Sequence, residues 1–118
     1  MVPIFPGYLF IHAELDGENR LRVLRTEGVV RILGNNGTPV AVAESEIESI
    51  RTIVQSKAPV HPYRYLKRGR VVRVVTGPLE GVEGIFVSTK TRGRLVVSVE
   101  LLRRSVSITM DPGDIEPI

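Results

Sequence analysis

The stretch that most constrains the fold of this chain spans residues 70–86 and reads RVVRVVTGPLEGVEGIF. Its alternating valines, Gly-Pro turn and two glycines three residues apart predict a strand, a tight loop and a second strand. Such a hairpin fits a binding loop of a small SH3-like barrel, and it equally fits an ordinary hairpin of any β domain. The stretch alone leaves both readings open.

Similar signals continue to the end of the chain. Strands are predicted over residues 71–75, 84–88, 95–101 and 105–110, and residues 114–118 add a candidate fifth. Turn residues separate these segments, and no helical periodicity interrupts them. Several short strands in such an arrangement indicate a small β-barrel.

The first half of the chain has a mixed pattern. An apolar run at residues 8–11 predicts a strand, residues 18–27 predict a short helix ended by Gly28, and residues 29–33 predict another short strand. A turn follows at residues 34–37.

The clearest helix follows that turn. It has Ile47, Ile50, Ile53 and Val54 on one face and acidic residues in its first turn, and Ser45 with Glu48 is spaced for a capping box. Two prolines in residues 58–66 then predict a linker.

Composition limits the possible functions. The chain has 118 residues, 42% of them hydrophobic, and no cysteine, which excludes disulfides and thiolate chemistry. No apolar run approaches the roughly 20 residues that span a bilayer, and the first residues lack a secretory pattern, so we expect a cytoplasmic protein without a membrane partner. Residues 61–118 hold ten Lys/Arg and six Asp/Glu, an excess that permits weak attraction to phosphates.

The motifs together resemble those of the NusG family of transcription elongation and antitermination factors. Residues 69–74 and 77–84 look like the KOW motif, residues 5–8 (FPGY) look like a strand opening of the NusG N-terminal domain, and residues 26–29 (TEGV) look like its TPGV helix exit with Glu27 for proline. Residues 62–66 and 98–105 look closest to the RfaH- or UpxY-like paralogues. The resemblance implies an α+β fold, with a partial mixed α/β N-terminal domain at 1–57, a linker at 58–66 and a KOW SH3-like barrel at 67–118.

One departure from the family pattern concerns the start of the chain. The family's N-terminal domain has a strand and a long helix ahead of the FPGY segment, and this sequence shows neither. We therefore expect Met1 to be a fragment boundary or a misassigned start. We also expect residues 1–57 to be unstable alone or to self-associate through the incomplete sheet.

The resemblance also implies binding surfaces. RNA polymerase would dock through an apolar groove to which Phe5, Tyr8 and Phe10 contribute, although plain core is an equal reading of these aromatic residues. A ribosomal small-subunit protein or Rho would bind the barrel at Leu101, Leu102, Arg103 and Arg104. Because side chains alternate along a strand, one of the two leucines is expected in the core. Gly77, Gly81 and Gly84 are expected to shape the barrel rather than to bind.

Nothing in the sequence predicts catalysis. His12 and His61 lack the partners of a metal or catalytic site, and residues 77–84 lack the Gly-Lys-Ser/Thr of a phosphate loop, so no catalytic residue, metal or cofactor is expected. Two alternatives to the transcription factor stay open. One is a KOW-type RNA-binding module of a ribosome-associated or RNA-processing protein, and the other is a structural, oligomerising fragment. For the RNA-binding module, the candidate phosphate contacts are Arg70, Arg73, Lys90, Arg92 and Arg94.

Overall fold

The computed structural model describes residues 4–35, 38–88 and 92–118. The chain is α+β, as predicted, and it divides into two compact units at Ala41 and Val42. This division falls ahead of the predicted linker at 58–66, which in the structure contains a short strand. The assignment of residues 1–57 to one N-terminal domain stays a prediction.

The first unit contains helix α1 (Gly17–Arg25) and the antiparallel two-residue strands β1 (Gly34–Asn35) and β2 (Thr38–Pro39). Helix α1 begins after Asp16, whose carboxylate accepts a hydrogen bond of 2.8 Å from the backbone N–H of Asn19. A side chain that satisfies a free N–H of the first turn stabilises a helix start by about 1 kcal/mol. The helix predicted at residues 18–27 is confirmed, with its end two residues earlier.

Two strands predicted for the first unit are wrong. Residues 8–11 and 29–33 lack strand structure, and the side chains of Leu9 and Val30 are 84% and 92% exposed. A strand needs a neighbour for its backbone hydrogen bonds, and no described strand lies beside either run. Of the predicted turn at residues 34–37, residues 34 and 35 form β1, and residues 36 and 37 are outside the described part of the chain.

Helix α2 (Glu44–Ser56) confirms the predicted helix and corrects its details. Ser49, Ile50 and Ile53 are buried on one face, whereas Val54, predicted on that face, is 58% exposed. The predicted capping box is absent, because Ala43 is the N-cap residue and no side chain caps it. At the other end Lys57 takes a left-handed conformation with φ +58°.

The second unit carries a six-stranded antiparallel sheet in the order β3-β7-β6-β5-β4-β8. Its strands confirm the pattern predicted for the second half, with β3 as an unpredicted addition. The bounds are β3 (His61–Tyr63), β4 (Arg70–Val74), β5 (Glu83–Ser88), β6 (Gly93–Val99), β7 (Arg104–Thr109) and β8 (Ile115–Pro117).

Helix α2 lies against β5 and β6 of this sheet. The Ser49 hydroxyl accepts a hydrogen bond of 3.2 Å from the backbone N–H of Glu83, and a Glu46 carboxylate oxygen accepts one of 3.1 Å from the N–H of Glu100. Both donors are backbone groups at the ends of strands, where the sheet ladder stops. The helix therefore accepts hydrogen bonds from backbone N–H groups of the sheet, in addition to burying its own apolar face.

Glycines fit the tight places of the β4–β5 hairpin. Gly77 and Gly81 have φ +88° and +92°, a region that side chains with a Cβ rarely enter. Gly84 has no such φ, but a Cβ there would lie 2.5 Å from the Val96 carbonyl oxygen of the neighbouring strand. Gly84 thus permits a close approach of β5 to β6.

The close contact at Gly84 predicts the effect of Gly84→Ala. A methyl group must displace the Val96 carbonyl, so we expect a loss of about 1–3 kcal/mol in the free energy of unfolding, measured by urea denaturation. Gly113→Ala is the matched control, because the nearest atom to its Cβ is an Asp111 carboxylate oxygen at 3.4 Å and the change stays within about 0.5 kcal/mol. Equal losses in the two variants would contradict a steric role for Gly84.

Candidate partner-binding surface

The predicted partner segment, residues 101–104, connects β6 to β7. A single 3₁₀ turn, Glu100–Leu102, leaves the end of β6, and Arg103 follows with φ +50° and ψ +46°. The N–H of Arg103 donates to the carbonyl of Glu100 at 3.1 Å, and Arg104 then pairs with Val99 as the first residue of β7. The segment is a tight turn and not the strand predicted over residues 95–101 and beyond.

The turn separates the two leucines. Leu102 is buried, with 7% of its surface exposed, and Leu101 is half-buried. One leucine therefore belongs to the core, as expected. The 3₁₀ turn, and not the alternation of side chains along a strand, determines which of the two it is. Only Leu101 offers apolar surface to a partner here.

Both arginines of the segment are exposed. The Arg104 guanidinium donates a hydrogen bond of 3.3 Å to the carbonyl of Arg103, which orients the Arg104 side chain back along the turn. Beside them, the Glu100 carboxylate lies 3.8 Å from the Lys67 ammonium, and the Glu100 N–H is bound by Glu46. Contacts from helix α2 and from the segment before β4 thus stabilise the start of the turn.

The aromatic candidates lie in the first unit. Phe5 is buried, and its ring meets Phe10 edge-on, with centroids 6.4 Å apart and planes at 71°. Tyr8 and Phe10 are half-buried, and the Tyr8 N–H donates to the carbonyl of Phe5 at 3.1 Å. Phe5 and Tyr8 thus belong to one turn, and Phe10 contacts it through the ring of Phe5.

The nucleic-acid candidates are dispersed. Arg73 lies toward one end of the sheet and donates to the Glu83 carboxylate at 3.0 Å, while Arg94 donates to the buried Ser107 hydroxyl at 3.1 Å. Arg70 is exposed and pairs across the sheet with Phe86. Arg92 is exposed, and Lys90 lies outside the described residues.

No catalytic or metal-binding arrangement emerges from the described residues. His12 and His61 are exposed and lie in different units, and over residues 4–35, 38–88 and 92–118 no three His, Cys, Asp or Glu side chains converge to hold a metal. The same residues include no helix that is long and apolar enough to cross a membrane.

Sequence reasoning missed residues that shape this surface. Ser49 and Glu46 tie α2 to the sheet, and edge strand β3 pairs with β7. A serine among isoleucines on the apolar face of a helix was the available signal for Ser49. For β3 there was no signal, because its pairing with β7 is not visible in the sequence.

Comparison with known proteins identifies relatives. Residues 1–51 match the family model described as "Transcription termination factor nusG". The transcription termination/antitermination protein NusG of Helicobacter pylori is 28% identical over 116 residues, which cover 98% of this chain and 66% of that protein. The chain is a relative of NusG.

NusG proteins of other bacteria show similar identity to this chain. That of Chlamydia pneumoniae is 34% identical over 111 residues, covering 89% of this chain and 58% of its own length, and that of Rickettsia bellii is 30% identical over 108 residues, covering 91% and 56%. No solved structure gives a significant match. This NusG relative thus spans between half and two thirds of the length of these proteins.

The burial of the two leucines predicts different outcomes for Leu102→Ala and Leu101→Ala. In this NusG relative we expect Leu102→Ala to cost about 2–5 kcal/mol of unfolding free energy, because a cavity replaces a buried side chain. Leu101→Ala, the control, should cost less than about 1 kcal/mol. Urea denaturation followed by circular dichroism measures both, and a Leu102 variant as stable as the Leu101 variant would place Leu102 on the surface.

Proposed function

We propose that the chain is a transcription elongation and antitermination factor, or one that modulates termination, and that it acts in the cytoplasm by binding and not by catalysis. The observation that carries this proposal is similarity to NusG proteins along 89–98% of the chain, in both the aromatic first unit and the sheet of the second. The names of these relatives indicate the process, transcription termination and antitermination. Because the relatives are longer than this chain, the activity of the chain is proposed here and tested by the experiments below.

RNA polymerase is the proposed partner of the first unit. Among the described residues, this unit exposes large apolar side chains: Leu9, Ile11, Leu21, Leu24, Val30 and Val40. Tyr8 and Phe10 lie half-buried among them in sequence. Exposed large apolar side chains are characteristic of docking sites when they lie together on a surface, and these residues are the candidates for one. Such a surface equally supports self-association, which a concentration series in size-exclusion chromatography detects.

The sheet of the second unit is proposed to be a KOW-type SH3-like barrel. Its surface at Leu101, Arg103 and Arg104 would bind a ribosomal small-subunit protein or Rho. Leu102 supports this surface from the core and does not contact the partner.

The proposed mechanism is a shift between states of the polymerase. A factor without catalytic groups changes the rate of elongation only by binding one polymerase state more tightly than another. A tenfold difference in affinity corresponds to about 1.4 kcal/mol, which is within reach of one or two buried side chains. Tyr8 and Phe10 are candidates for those side chains.

The polymerase contact is tested with Tyr8→Ala and Phe10→Ala. Removal of a half-buried aromatic ring from an interface should weaken binding of the purified cognate RNA polymerase at least tenfold, measured by biolayer interferometry, because such rings dominate interface energies.

Glu27→Ala is the control for these variants. Glu27 is exposed in the same unit but is neither apolar nor a candidate contact, so its replacement should change the affinity less than about twofold. Unchanged affinity in both aromatic variants, with the fold intact by circular dichroism, would exclude Tyr8 and Phe10 as contacts. No binding of the unaltered chain would refute the polymerase proposal itself.

A further inference from the structure

We propose that a groove in the second unit binds an arginine side chain of a protein partner. The groove lies between α2 and the segment before β4, on the face of β5 and β6 that carries Ile85 and Val96, and its volume is about 230 Å³. Pockets for drug-sized molecules have volumes of about 300–1,000 Å³, so this groove better fits one long side chain. The inference goes beyond the proposed function, since it requires neither RNA polymerase nor the surface at Leu101, Arg103 and Arg104.

The floor of the groove is apolar. Ile85 and Val96 are paired residues of β5 and β6 and are 9% and 1% exposed, and the half-buried Leu66 and the exposed Val71 lie beside them. The methylene stem of an arginine can lie along such a floor while its charged head stays in water at the rim. The floor therefore favours a long amphipathic side chain over a fully polar ligand.

The rim of the groove is acidic. Its charged groups are the carboxylates of Glu46, Glu83 and Glu100 and the single ammonium group of Lys67. Residues 61–118 have the opposite balance, with ten Lys/Arg and six Asp/Glu, so the rim departs from the charge of the sheet around it. The groove is therefore complementary to a cation and unfavourable for phosphate.

The carboxylates have acceptor capacity left for a ligand. Glu46 accepts the N–H of Glu100, the Glu100 carboxylate lies 3.8 Å from the Lys67 ammonium, and Glu83 accepts from Arg73 at 3.0 Å. Each of these contacts uses one oxygen, and a carboxylate accepts hydrogen bonds at both of its oxygens. Glu46 forms no ion pair with residues 4–35, 38–88 or 92–118, which makes it the first counter-ion for an incoming arginine.

Tyr65 favours arginine over lysine as the ligand. This half-buried tyrosine lines the same groove. A guanidinium group is planar and weakly hydrated, so it stacks on an aromatic ring and pairs with a carboxylate through two N–H groups at once. The ammonium group of lysine is a strongly hydrated point charge and does neither as well.

Hydrogen bonds fix both walls of the groove. The N–H of Leu66 donates to the Ser105 hydroxyl at 3.3 Å, the Ser98 hydroxyl donates to the Leu66 carbonyl at 3.0 Å, and the two hydroxyl oxygens lie 2.6 Å apart. On the other side, Ser49 of α2 accepts the N–H of Glu83. Walls that are fixed before binding reduce the entropy lost when a ligand enters. The groove is therefore organised in advance for its ligand.

The test titrates the ¹⁵N-labelled full chain with N-acetyl-arginine-N-methylamide and follows the backbone amide resonances by NMR. This ligand is capped at both ends, as an arginine within a protein is. We expect saturable shifts at Gly84, Ile85 and Glu100, with a dissociation constant on the order of 1 mM for so small a ligand, and no shift at Gly113, outside the groove. No saturable shift at the groove residues up to about 20 mM ligand would overturn the proposal.

Analogues test the chemistry of the ligand. The capped citrulline analogue has the shape of arginine without its charge and should bind at least about tenfold more weakly. The capped lysine analogue keeps the charge without the planar group and should bind at least about threefold more weakly. Equal binding of citrulline would make the groove a site for an uncharged stem, and equal binding of lysine a site for any cation. Either result would overturn the assignment to arginine.

Free arginine distinguishes a protein partner from a small molecule. Its α-carboxylate adds a negative charge near the acidic rim, so it should bind at least about threefold more weakly than the capped form. Tighter binding of the free amino acid would assign the groove to a metabolite and overturn the assignment to a protein partner.

Substitutions locate the site within the chain. Glu46→Gln with Glu100→Gln should weaken binding of the capped arginine at least about tenfold, and an amide oxygen at position 46 still accepts the backbone N–H of residue 100. Glu44→Gln with Glu48→Gln is the matched control, because it removes the same charge from exposed residues of α2 outside the groove and should change the affinity less than about twofold.

Equal losses in the two double variants would attribute binding to net charge and overturn the proposal. The dispersion of the amide spectrum verifies the fold of each variant. Because the assay contains neither RNA polymerase nor Rho, its failure leaves the proposed transcription function untouched.

Discussion

The second unit depends on the burial of both faces of β6. This strand is paired on both sides, with β5 and β7, and its residues Leu95, Val96 and Val97 are each no more than 2% exposed although alternate side chains point to opposite faces. A sheet with one open face would leave Val96 in water. Helix α2 and the segment before β4 lie on the face of Val96 and border an open groove of about 230 Å³. The helix therefore helps to exclude water from this strand.

This constraint explains how α2 is attached. Burial of the helix removes water from backbone groups at the strand ends, and an unsatisfied N–H in such a place costs about 1–3 kcal/mol. Ser49 accepts a hydrogen bond from one of these groups, the N–H of Glu83, whereas the bond from the Glu100 N–H to Glu46 is exposed to solvent. A serine on the apolar face of α2 is thus a requirement of docking. The family match over residues 1–51 covers the first unit and runs into α2 of the second.

Much of the sheet could be predicted, and its surroundings could not. Alternating valines predicted β4, where burial alternates along the strand, and turn glycines limited β5 to β7 to within a few residues. The run at residues 8–11 has equally strong strand propensity and forms none, since propensity supplies no neighbour to pair with. The contact of α2 with β5 and β6 depends on tertiary packing, which the 3.6-residue periodicity of the helix does not encode; periodicity located the buried face but not what covers it.

The candidate site shows the same division. The pair Leu101-Leu102 was expected to have one core residue, and Leu102 is that residue, but the choice comes from a 3₁₀ turn that the sequence does not signal. Arg103 closes this turn in a left-handed conformation that suits glycine, which the sequence does not signal either. If the turn served the fold alone, glycine at position 103 would be the less strained choice. The exposed Arg103 side chain forms no ion pair with the described residues, so the sheet gains no charge interaction in return for this backbone strain.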